Sequence, residues 1–176
     1  MRIAYGVMGY GRGHAMRSSA LIQELAQDHS IRVYAGPDAH AVMAPHFDCV
    51  PIPCIHYYYG DEGRIDTWAT IRRNIPPSVD LLFGGPRFKK MQSDWEAFGP
   101  DLVISDSEAW SHHLARKMGI PRISVDHVGV MAYCQPDFPA RDLALAQRDR
   151  QHVQRRNVLV IQLRGRKRVD QAALRE

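Results

Sequence analysis

Several classes of protein are excluded by what the sequence lacks. No apolar run in the 176 residues approaches the roughly 18 to 20 apolar residues that a membrane-spanning helix needs. The chain has only three cysteines, Cys49, Cys54 and Cys134, without a C-x-x-C motif, so neither a disulfide framework nor a zinc ribbon is indicated. No signal peptide precedes the first strand-like residues. We therefore expect a cytoplasmic protein whose thiols are free.

The charge of the chain is distributed unevenly. The hydrophobic fraction of 45% and the charged fraction of 24% are those of a soluble globular domain, and the net charge is +4. Residues 1–140 contribute −2 of this charge, and residues 141–176 contribute +6. We therefore predict one domain over residues 1–140 and a basic tail over residues 141–176. Such a tail is either solvated or binds nucleic acid or anionic lipid, and its scarcity of aromatic residues disfavours nucleic acid.

Short apolar runs alternate with helical patterns along most of the chain. Each run ends in glycine or in polar residues, as buried strands do where they pass into turns. The predicted elements are the strands Arg2 to Val7, Ile31 to Ala35, Phe47 to Ile52, Leu102 to Ser105 and Arg122 to Val125, and the helices His14 to Asp28, Asp38 to Ala44 with Asp38 as N-cap, and Ala109 to Met118. This alternation predicts an α/β fold, a single Rossmann-like doubly wound parallel sheet with strand order 3-2-1-4-5.

Three segments do not follow this alternation. Residues 55–66 contain three consecutive tyrosines and fit no period, which predicts a long loop that either lines a binding site or is an ordinary surface excursion. In the second segment, helices are predicted on either side of Pro76-Pro77, and the longer one runs from Val79 to Phe98 with an interruption near Gly84. The third segment is the tail, with a helix from Arg141 to Arg156 and a strand or stray apolar run from Val158 to Leu163.

Polar residues gather at the predicted strand ends. The first strand leads into Gly9-Tyr10-Gly11-Arg12-Gly13-His14, the fourth into Asp106-Ser107-Glu108, and the fifth into Asp126-His127. In a doubly wound sheet the ligand crevice lies beyond the carboxyl ends of the strands, where the strand order reverses. We therefore expect the loop of His14 to face the loop of Asp106 across that crevice.

The glycine loop departs from two nucleotide-binding motifs. A dinucleotide fingerprint requires G-x-G-x-x-G, and the third glycine is replaced here by His14. The nearest acidic residue for a ribose, Asp38, lies beyond the end of the second strand, and no Gly-Lys-Ser/Thr follows to make a Walker A loop. A nicotinamide or flavin cofactor is therefore disfavoured, and we expect no cofactor.

His14 has the position of a general base. A histidine that follows a glycine-rich turn lies at the crevice, where the positive end of the helix dipole favours the neutral ring, which accepts a proton. A carboxylate on the facing loop, Asp106, would orient the ring and stabilise the imidazolium as it forms. The alternative is that His14 merely caps the helix.

Two segments resemble the N-terminal domain of GT-B glycosyltransferases. They are the glycine-histidine loop Gly9-Tyr10-Gly11-Arg12-Gly13-His14-Ala15-Met16-Arg17, and Asp101-Leu102-Val103-Ile104-Ser105-Asp106-Ser107-Glu108 followed by Gly119-Ile120-Pro121-Arg122-Ile123-Ser124-Val125-Asp126-His127. The resemblance spans residues 1–135 and is closest to the branch of the lipid-linked N-acetylglucosaminyltransferases of peptidoglycan synthesis. It implies the acceptor-binding half of an inverting transferase that moves a sugar from a nucleotide-sugar donor to a hydroxyl acceptor.

The resemblance also implies roles for individual residues. His14 would be the base and Asp106 its partner, with Glu108 as the less favoured substitute for Asp106. Substrate contacts are expected from residues of the loops that follow the first, fourth and fifth strands, namely Gly11, Gly13, Arg17, Glu108, Asp126 and His127. No metal is expected, because these transferases generally work without one and because adjacent His112 and His113 point about 100° apart on a helix.

GT-B enzymes bind the donor on a second Rossmann-like domain, which residues 141–176 do not resemble. We therefore expect the nucleotide sugar to bind a missing domain or a partner subunit of a homo- or hetero-oligomer, and the chain alone to be inactive. The acceptor would be a sugar or a lipid-linked molecule stacked on Tyr57 to Tyr59, which would place the protein at the periphery of a membrane. Trp68, Trp95 and Trp110 are expected in the core or at its rim.

Two alternatives from other classes remain open. One is a Rossmann-type oxidoreductase that depends on NAD, and the other is a non-catalytic interaction domain with a basic tail. Binding of NAD would distinguish the first, and a salt-dependent affinity that is lost with residues 141–176 would distinguish the second.

Overall fold

The chain is divided into two compact units, Met1–Ser124 and Val125–Glu176. The computed structural model describes residues 1–125 and 159–161. The predicted boundary at residue 140 and the predicted helix from Arg141 to Arg156 lie outside the described residues.

Strands and helices alternate along the described residues, as the sequence predicts. The strands are β1 (Arg2–Val7), β2 (Ser30–Ala35), β3 (Cys49–Pro51), β4 (Leu102–Asp106), β5 (Arg122–Val125) and, in the second unit, β6 (Leu159–Ile161). The helices are α1 (Arg12–Leu25), α2 (Pro37–Met43), α3 (Thr67–Phe83), α4 (Pro86–Phe98) and α5 (Ala109–Met118), and a single 3-10 turn covers Asp61–Gly63. None of the helices in the described part of the chain is long and apolar enough to cross a membrane.

The sheet has the predicted strand order, β3-β2-β1-β4-β5. Strand β1 pairs in parallel with β2 and with β4, and β2 pairs in parallel with β3. The register places Val7, the last residue of β1, opposite Asp106, the last residue of β4. Because the strand order reverses between β1 and β4, these two adjacent ends form the switch point at which doubly wound folds bind ligands.

Helices cover both faces of the sheet. Successive strand residues point to opposite faces, so Tyr5 hydrogen-bonds Ser18 of α1 whereas Gly6 faces α5. A Cβ at Gly6 would lie 1.9 Å from the hydroxyl oxygen of Ser111, so α5 packs directly on the backbone of β1 there. The core on this side contains fully buried aromatic side chains from three elements, Tyr34 of β2, Phe88 and Trp95 of α4, and Trp110 of α5.

The loops after β1 and β2 pack backbone against backbone. A Cβ at Gly9 would lie 2.2 Å from Cα of Gly36, and one at Gly36 would lie 2.5 Å from Cα of Gly9. Atoms do not approach this closely without a shift of the chain, so only glycine fits at either position. The contact fixes the path of the glycine loop over the edge of the sheet.

Two local predictions are wrong. Helix α3 runs through Pro76-Pro77, which were predicted to separate two helices. Pro76 lies on the exposed side, where solvent can hydrate the carbonyl that its missing N–H leaves free, so the interruption is tolerated. Asp38 does not cap α2, which begins at Pro37 after Gly36. Its carboxylate instead accepts a hydrogen bond from the backbone N–H of Gly11, at 2.9 Å.

Candidate functional site

Asp106 is the centre of a buried polar cluster at the carboxyl end of β4. Its side chain is fully buried. One carboxylate oxygen, Oδ2, accepts hydrogen bonds from Nε of Arg17 at 2.7 Å and from the hydroxyl of Ser18 at 2.8 Å. The other, Oδ1, lies 2.9 Å from Nδ1 of His14 and also binds Nη2 of Arg17. Burial of this charge is thus compensated by an ion pair and by charge-assisted hydrogen bonds.

Helix α1 supplies the three side chains that bond the carboxylate of Asp106 in the described part of the chain. His14, Arg17 and Ser18 stand at spacings of three and four residues, so one face of the helix presents them together. The helix begins at Arg12 because Gly11 turns the chain with φ of 76°, a left-handed value that favours glycine. The glycine loop therefore aims the first turns of α1 at the end of β4.

His14 is the partly exposed partner of Asp106 in this cluster. Its side chain is 26% exposed, whereas Asp106 is inaccessible. Nδ1 lies 2.9 Å from Asp106 Oδ1 and also 2.9 Å from Arg17 Nη2. The guanidinium can only donate, so the contact with Arg17 requires a bare Nδ1, whereas the contact with Asp106 requires Nδ1–H. The tautomer of His14 therefore decides which of its ring nitrogens can accept a proton from a ligand.

Ser107 separates two buried carboxylates that serve different helices. Its φ of 54° is rare for a residue other than glycine and costs on the order of 1 kcal/mol or more. This turn leaves Asp106 bonded to α1 and lets Glu108 cap α5, where its carboxylate accepts the backbone N–H of Ser111 at 2.7 Å and also binds the N–H of Trp110. Burial raises the pKa of Glu108, and the hydrogen bonds from α5 oppose that rise.

An open cavity of about 200 Å³ lies at the same edge of the sheet. Its walls come from the segments that follow β1, β2, β3 and β4, and they include Met8, Cys54, Ile55 and Trp110. Most of the lining is apolar, as in pockets that bind organic ligands. Burial raises the pKa of the Cys54 thiol, which favours its neutral form in this wall.

An aromatic cluster, formed by Tyr10, His56, Tyr58 and Tyr59, stands beside the glycine loop. The ring of Tyr10 stacks on His56 with centroids 5.3 Å apart and on Tyr59 with centroids 6.3 Å apart. The rings of His56 and Tyr58 lie 4.2 Å apart. A hydrogen bond to Tyr59 raises the pKa of Tyr10. The predicted loop 55–66 therefore contacts the segment that places His14.

Two residues of α3 hold this loop in place. The side-chain amide of Asn74 donates to the carbonyl oxygen of His56 at 2.8 Å. The hydroxyl of Thr70 accepts the N–H of Tyr58 at 3.0 Å. The loop is thus fastened at its backbone, and Tyr57 remains 59% exposed beside the aromatic cluster.

The residues predicted to contact substrate are distributed as follows. Arg17 is paired with Asp106, and Glu108 caps α5. The backbone N–H of Gly11 donates a hydrogen bond to Asp38, and Gly13 has open space where a Cβ would lie. Asp126 and His127 fall outside the described residues. Within residues 1–125 and 159–161, no group of three or more metal-binding side chains is found. Cys49 and Cys54 are free thiols, as predicted, and Cys134 lies outside the described residues.

A family model describing glycosyl transferase family 1 matches residues 1–163. The chain belongs to glycosyl transferase family 1. This family and the parallel sheet agree with the resemblance to the N-terminal half of GT-B enzymes. No curated protein matches the chain in sequence.

One solved glycosyltransferase shares the fold of this family member, and two others are similar to it with TM-scores below 0.5. Spinosyn rhamnosyltransferase SpnG is similar at 18% identity and a TM-score of 0.51, over 72% of this chain and 35% of SpnG. MurG of Acinetobacter baumannii matches at 15% identity and a TM-score of 0.49, over 84% of this chain and 38% of MurG. SsfS6 of Streptomyces sp. SF2575 matches at 22% identity and a TM-score of 0.48, over 72% and 39%. The chain thus spans less than two fifths of each of these transferases.

Three features of the site were missed in the sequence. Ser18 shares a helical face with His14 and Arg17, and this i, i+4 spacing could have indicated it as a partner of Asp106. Tyr10 stands inside the glycine loop, but its stacking on His56 joins distant segments and leaves no local pattern. The cavity likewise depends on four strand ends that meet only in the fold.

Proposed function

We propose that Met1–Ser124 is the acceptor-binding half of an inverting glycosyltransferase, with His14 as the general base and Asp106 as its positioning residue. The observation that carries the proposal is the 2.9 Å contact between His14 Nδ1 and Asp106 Oδ1 at the switch point of the sheet. A partly exposed imidazole backed by a buried carboxylate is an arrangement that supports base catalysis. The membership in glycosyl transferase family 1 supplies the reaction class.

In the proposed reaction, His14 donates Nδ1–H to Asp106 and presents a bare Nε2 to the acceptor. Nε2 takes the proton of the acceptor hydroxyl while the oxygen of that hydroxyl attacks the anomeric carbon of the donor sugar. The bond from that carbon to the nucleotide diphosphate breaks on the opposite face, and the configuration inverts. The carboxylate of Asp106 stabilises the imidazolium that forms, and Arg17 and Ser18 hold the carboxylate in place.

The acceptor is proposed to lie between the apolar cavity and the aromatic cluster. The cavity takes an apolar part of the acceptor, and the ring of Tyr59, which is 50% exposed, offers a face on which a sugar or another flat group stacks. Both features border the glycine loop that places His14, which supports an acceptor site here.

The nucleotide-sugar donor is proposed to bind a separate donor-binding domain or subunit, and the reaction to take place in the cytoplasm. SpnG has been solved with thymidine diphosphate and with spinosyn aglycone, so that transferase binds a nucleotide and an acceptor. Because the donor is proposed to bind elsewhere, this chain alone is proposed to be inactive. Sugar transfer from UDP-N-acetylglucosamine or TDP-glucose by the purified chain alone would contradict this part of the proposal.

The roles of His14 and Asp106 are tested by kinetics of the chain supplied with its donor-binding domain or subunit. His14→Ala should lower kcat about 10²- to 10⁴-fold, the usual contribution of a general base. Asp106→Asn should lower kcat with little change in the acceptor KM, since Asp106 does not touch the acceptor. His46→Ala is the matched control, because His46 is an exposed histidine in the loop after α2. An unchanged kcat for His14→Ala would overturn the proposal.

A further inference from the structure

Ser107 holds a backbone conformation that a serine rarely adopts. Its φ of 54° lies in the left-handed region, which glycine enters without steric cost. Among the described residues other than glycine, only Glu62, in the exposed 3-10 turn, also has a positive φ. Ser107 instead follows the carboxyl end of β4 directly. Strained residues cluster at ligand clamps and active sites, so this outlier at the switch point indicates a function for its side chain.

The side chain of Ser107 is exposed between two buried carboxylates. Asp106 and Glu108, on either side, are 0% and 6% exposed, and each is bonded to a helix. The turn at Ser107 thus directs its neighbours into the protein and leaves its own side chain outside. Glycine would make the same turn with less strain. The feature that serine adds at this position is a hydroxyl.

The hydroxyl of Ser107 is available to a ligand. The other serines near the switch point, Ser18, Ser105 and Ser111, each donate their hydroxyl to an oxygen of the protein. Within residues 1–125 and 159–161, the hydroxyl of Ser107 forms no hydrogen bond. A serine hydroxyl can both donate to and accept from a bound group, so it suits a ligand hydroxyl.

Ser107 also lines the open cavity at the edge of the sheet. The wall around it is mostly apolar and includes Met8 and Ile55. Of the polar side chains in the wall, Glu108 caps α5 with its carboxylate, and Trp110 is only 1% exposed. In an apolar pocket a small number of placed polar groups fixes the orientation of the ligand. The hydroxyl of Ser107 is such a group.

The position of Ser107 relates a ligand in the cavity to the proposed base. Consecutive Cα atoms lie about 3.8 Å apart, so Ser107 adjoins Asp106, whose carboxylate lies 2.9 Å from Nδ1 of His14. A molecule that carries several hydroxyls, such as a sugar, can therefore present one hydroxyl to Ser107 and another to His14. A simple alcohol has no second hydroxyl for this contact.

We propose that the hydroxyl of Ser107 binds a second hydroxyl of the acceptor, so that the protein selects polyhydroxylated acceptors over simple alcohols. The proposal rests on the proposed function, in which His14 faces the hydroxyl that reacts. The apolar wall of the cavity takes the rest of the acceptor, and Ser107 fixes which hydroxyl remains for His14. Ser107 is thus a specificity-determining residue, and the strain of its backbone holds its hydroxyl at the ligand.

Two small amphiphiles test this role of Ser107. Octyl β-D-glucopyranoside carries an apolar chain and several hydroxyls, whereas 2-octyloxyethanol carries the same chain and a single hydroxyl. The full chain, labelled with nitrogen-15, is titrated with each compound below its micelle concentration. The dissociation constants are taken from the shifts of the backbone amides that line the cavity. We expect the wild type to bind the glucoside more tightly than 2-octyloxyethanol.

Variants separate the hydroxyl of Ser107 from the strain of its backbone. Ser107→Ala should weaken binding of the glucoside about three- to tenfold, the usual effect of losing one hydrogen bond, and leave binding of 2-octyloxyethanol unchanged. Ser107→Gly loses the hydroxyl but relieves the backbone, so it should unfold at a higher urea concentration than Ser107→Ala and bind the glucoside as weakly. Ser93→Ala, at an exposed serine of α4, is the matched control and should bind both compounds like the wild type.

Two results would contradict the role of Ser107. One is that the wild type does not bind the glucoside. The other is that Ser107→Ala and Ser107→Gly bind it like the wild type, which would leave Ser107 with the local task of turning the chain between Asp106 and Glu108. The titrations do not measure sugar transfer, so this failure is distinct from that of the proposed function, which an unchanged kcat for His14→Ala reveals.

Discussion

At the scale of single residues, the site depends on glycines whose backbone atoms are in direct contact with other segments of the chain. Gly9 and Gly36 touch each other, and Gly6 touches the side chains of α5. These contacts hold the end of β1 against β2 and α5, and the end of β1 leads directly into the loop that places His14. His14 therefore owes its position to glycines, which have no side chain of their own.

The contact at Gly6 gives a prediction of stability. In Gly6→Ala the new Cβ would lie 1.9 Å from the hydroxyl oxygen of Ser111 and 2.9 Å from Oε2 of Glu108, so α5 has to shift. We expect the free energy of unfolding, measured with urea, to fall by about 1 to 3 kcal/mol, the usual cost of overpacking. Gly13→Ala is the matched control, since it meets no atom within 4 Å and lies in α1. Equal unfolding free energies for Gly6→Ala and the wild type would disprove the close contact.

At the scale of elements, α5 shows a conflict between capping and burial. The carboxylate of Glu108 accepts N–H groups at the start of α5, a favourable position for a negative charge. Its burial nevertheless raises the pKa of this carboxyl. Relative to the protonated form, the ionised carboxylate of Glu108 is therefore less favourable in the folded protein than in the unfolded chain.

This conflict predicts a pH dependence of stability. A raised pKa means that the folded state holds its proton to higher pH, so Glu108 contributes stability below its ordinary pKa of 4.5 and loses it as the pH rises through the folded-state value. We expect the unfolding free energy of the wild type to fall relative to that of Glu108→Gln as the pH is raised from acid towards neutral. Urea titrations at several pH values measure this difference. Parallel curves for the two proteins would show that burial does not raise the pKa.

At the scale of the whole molecule, the sequence predicts the sheet and misses contacts between distant segments. Strands β1 and β5 and helix α5 have the bounds that the sequence predicts, because their apolar runs end in glycine or polar residues. The order β3-β2-β1-β4-β5 also follows, since alternating elements favour few topologies. The continuity of α3 through Pro76-Pro77 was not predicted, because tolerance of proline depends on exposure in the fold.

The features of the candidate site also divide into those that the sequence could predict and those that it could not. The proximity of His14 and Asp106 could be predicted, because both follow strands that meet at the switch point. The stacking of Tyr10 on His56 could not be predicted, because it joins distant segments and has no local signature. Trp68 was expected in the core or at its rim, and its exposure likewise has no local signature.

The most direct test of the central claim is the tautomer of His14. Long-range proton–nitrogen correlation spectra of the labelled chain, recorded where the ring is neutral and assigned with His14→Gln, show which ring nitrogen carries the proton. The account predicts Nδ1–H, donated to Asp106 at 2.9 Å, with Nε2 bare for the acceptor. A neutral ring with the proton on Nε2, and with Nδ1 accepting from Arg17, would contradict the assignment of His14 as the base.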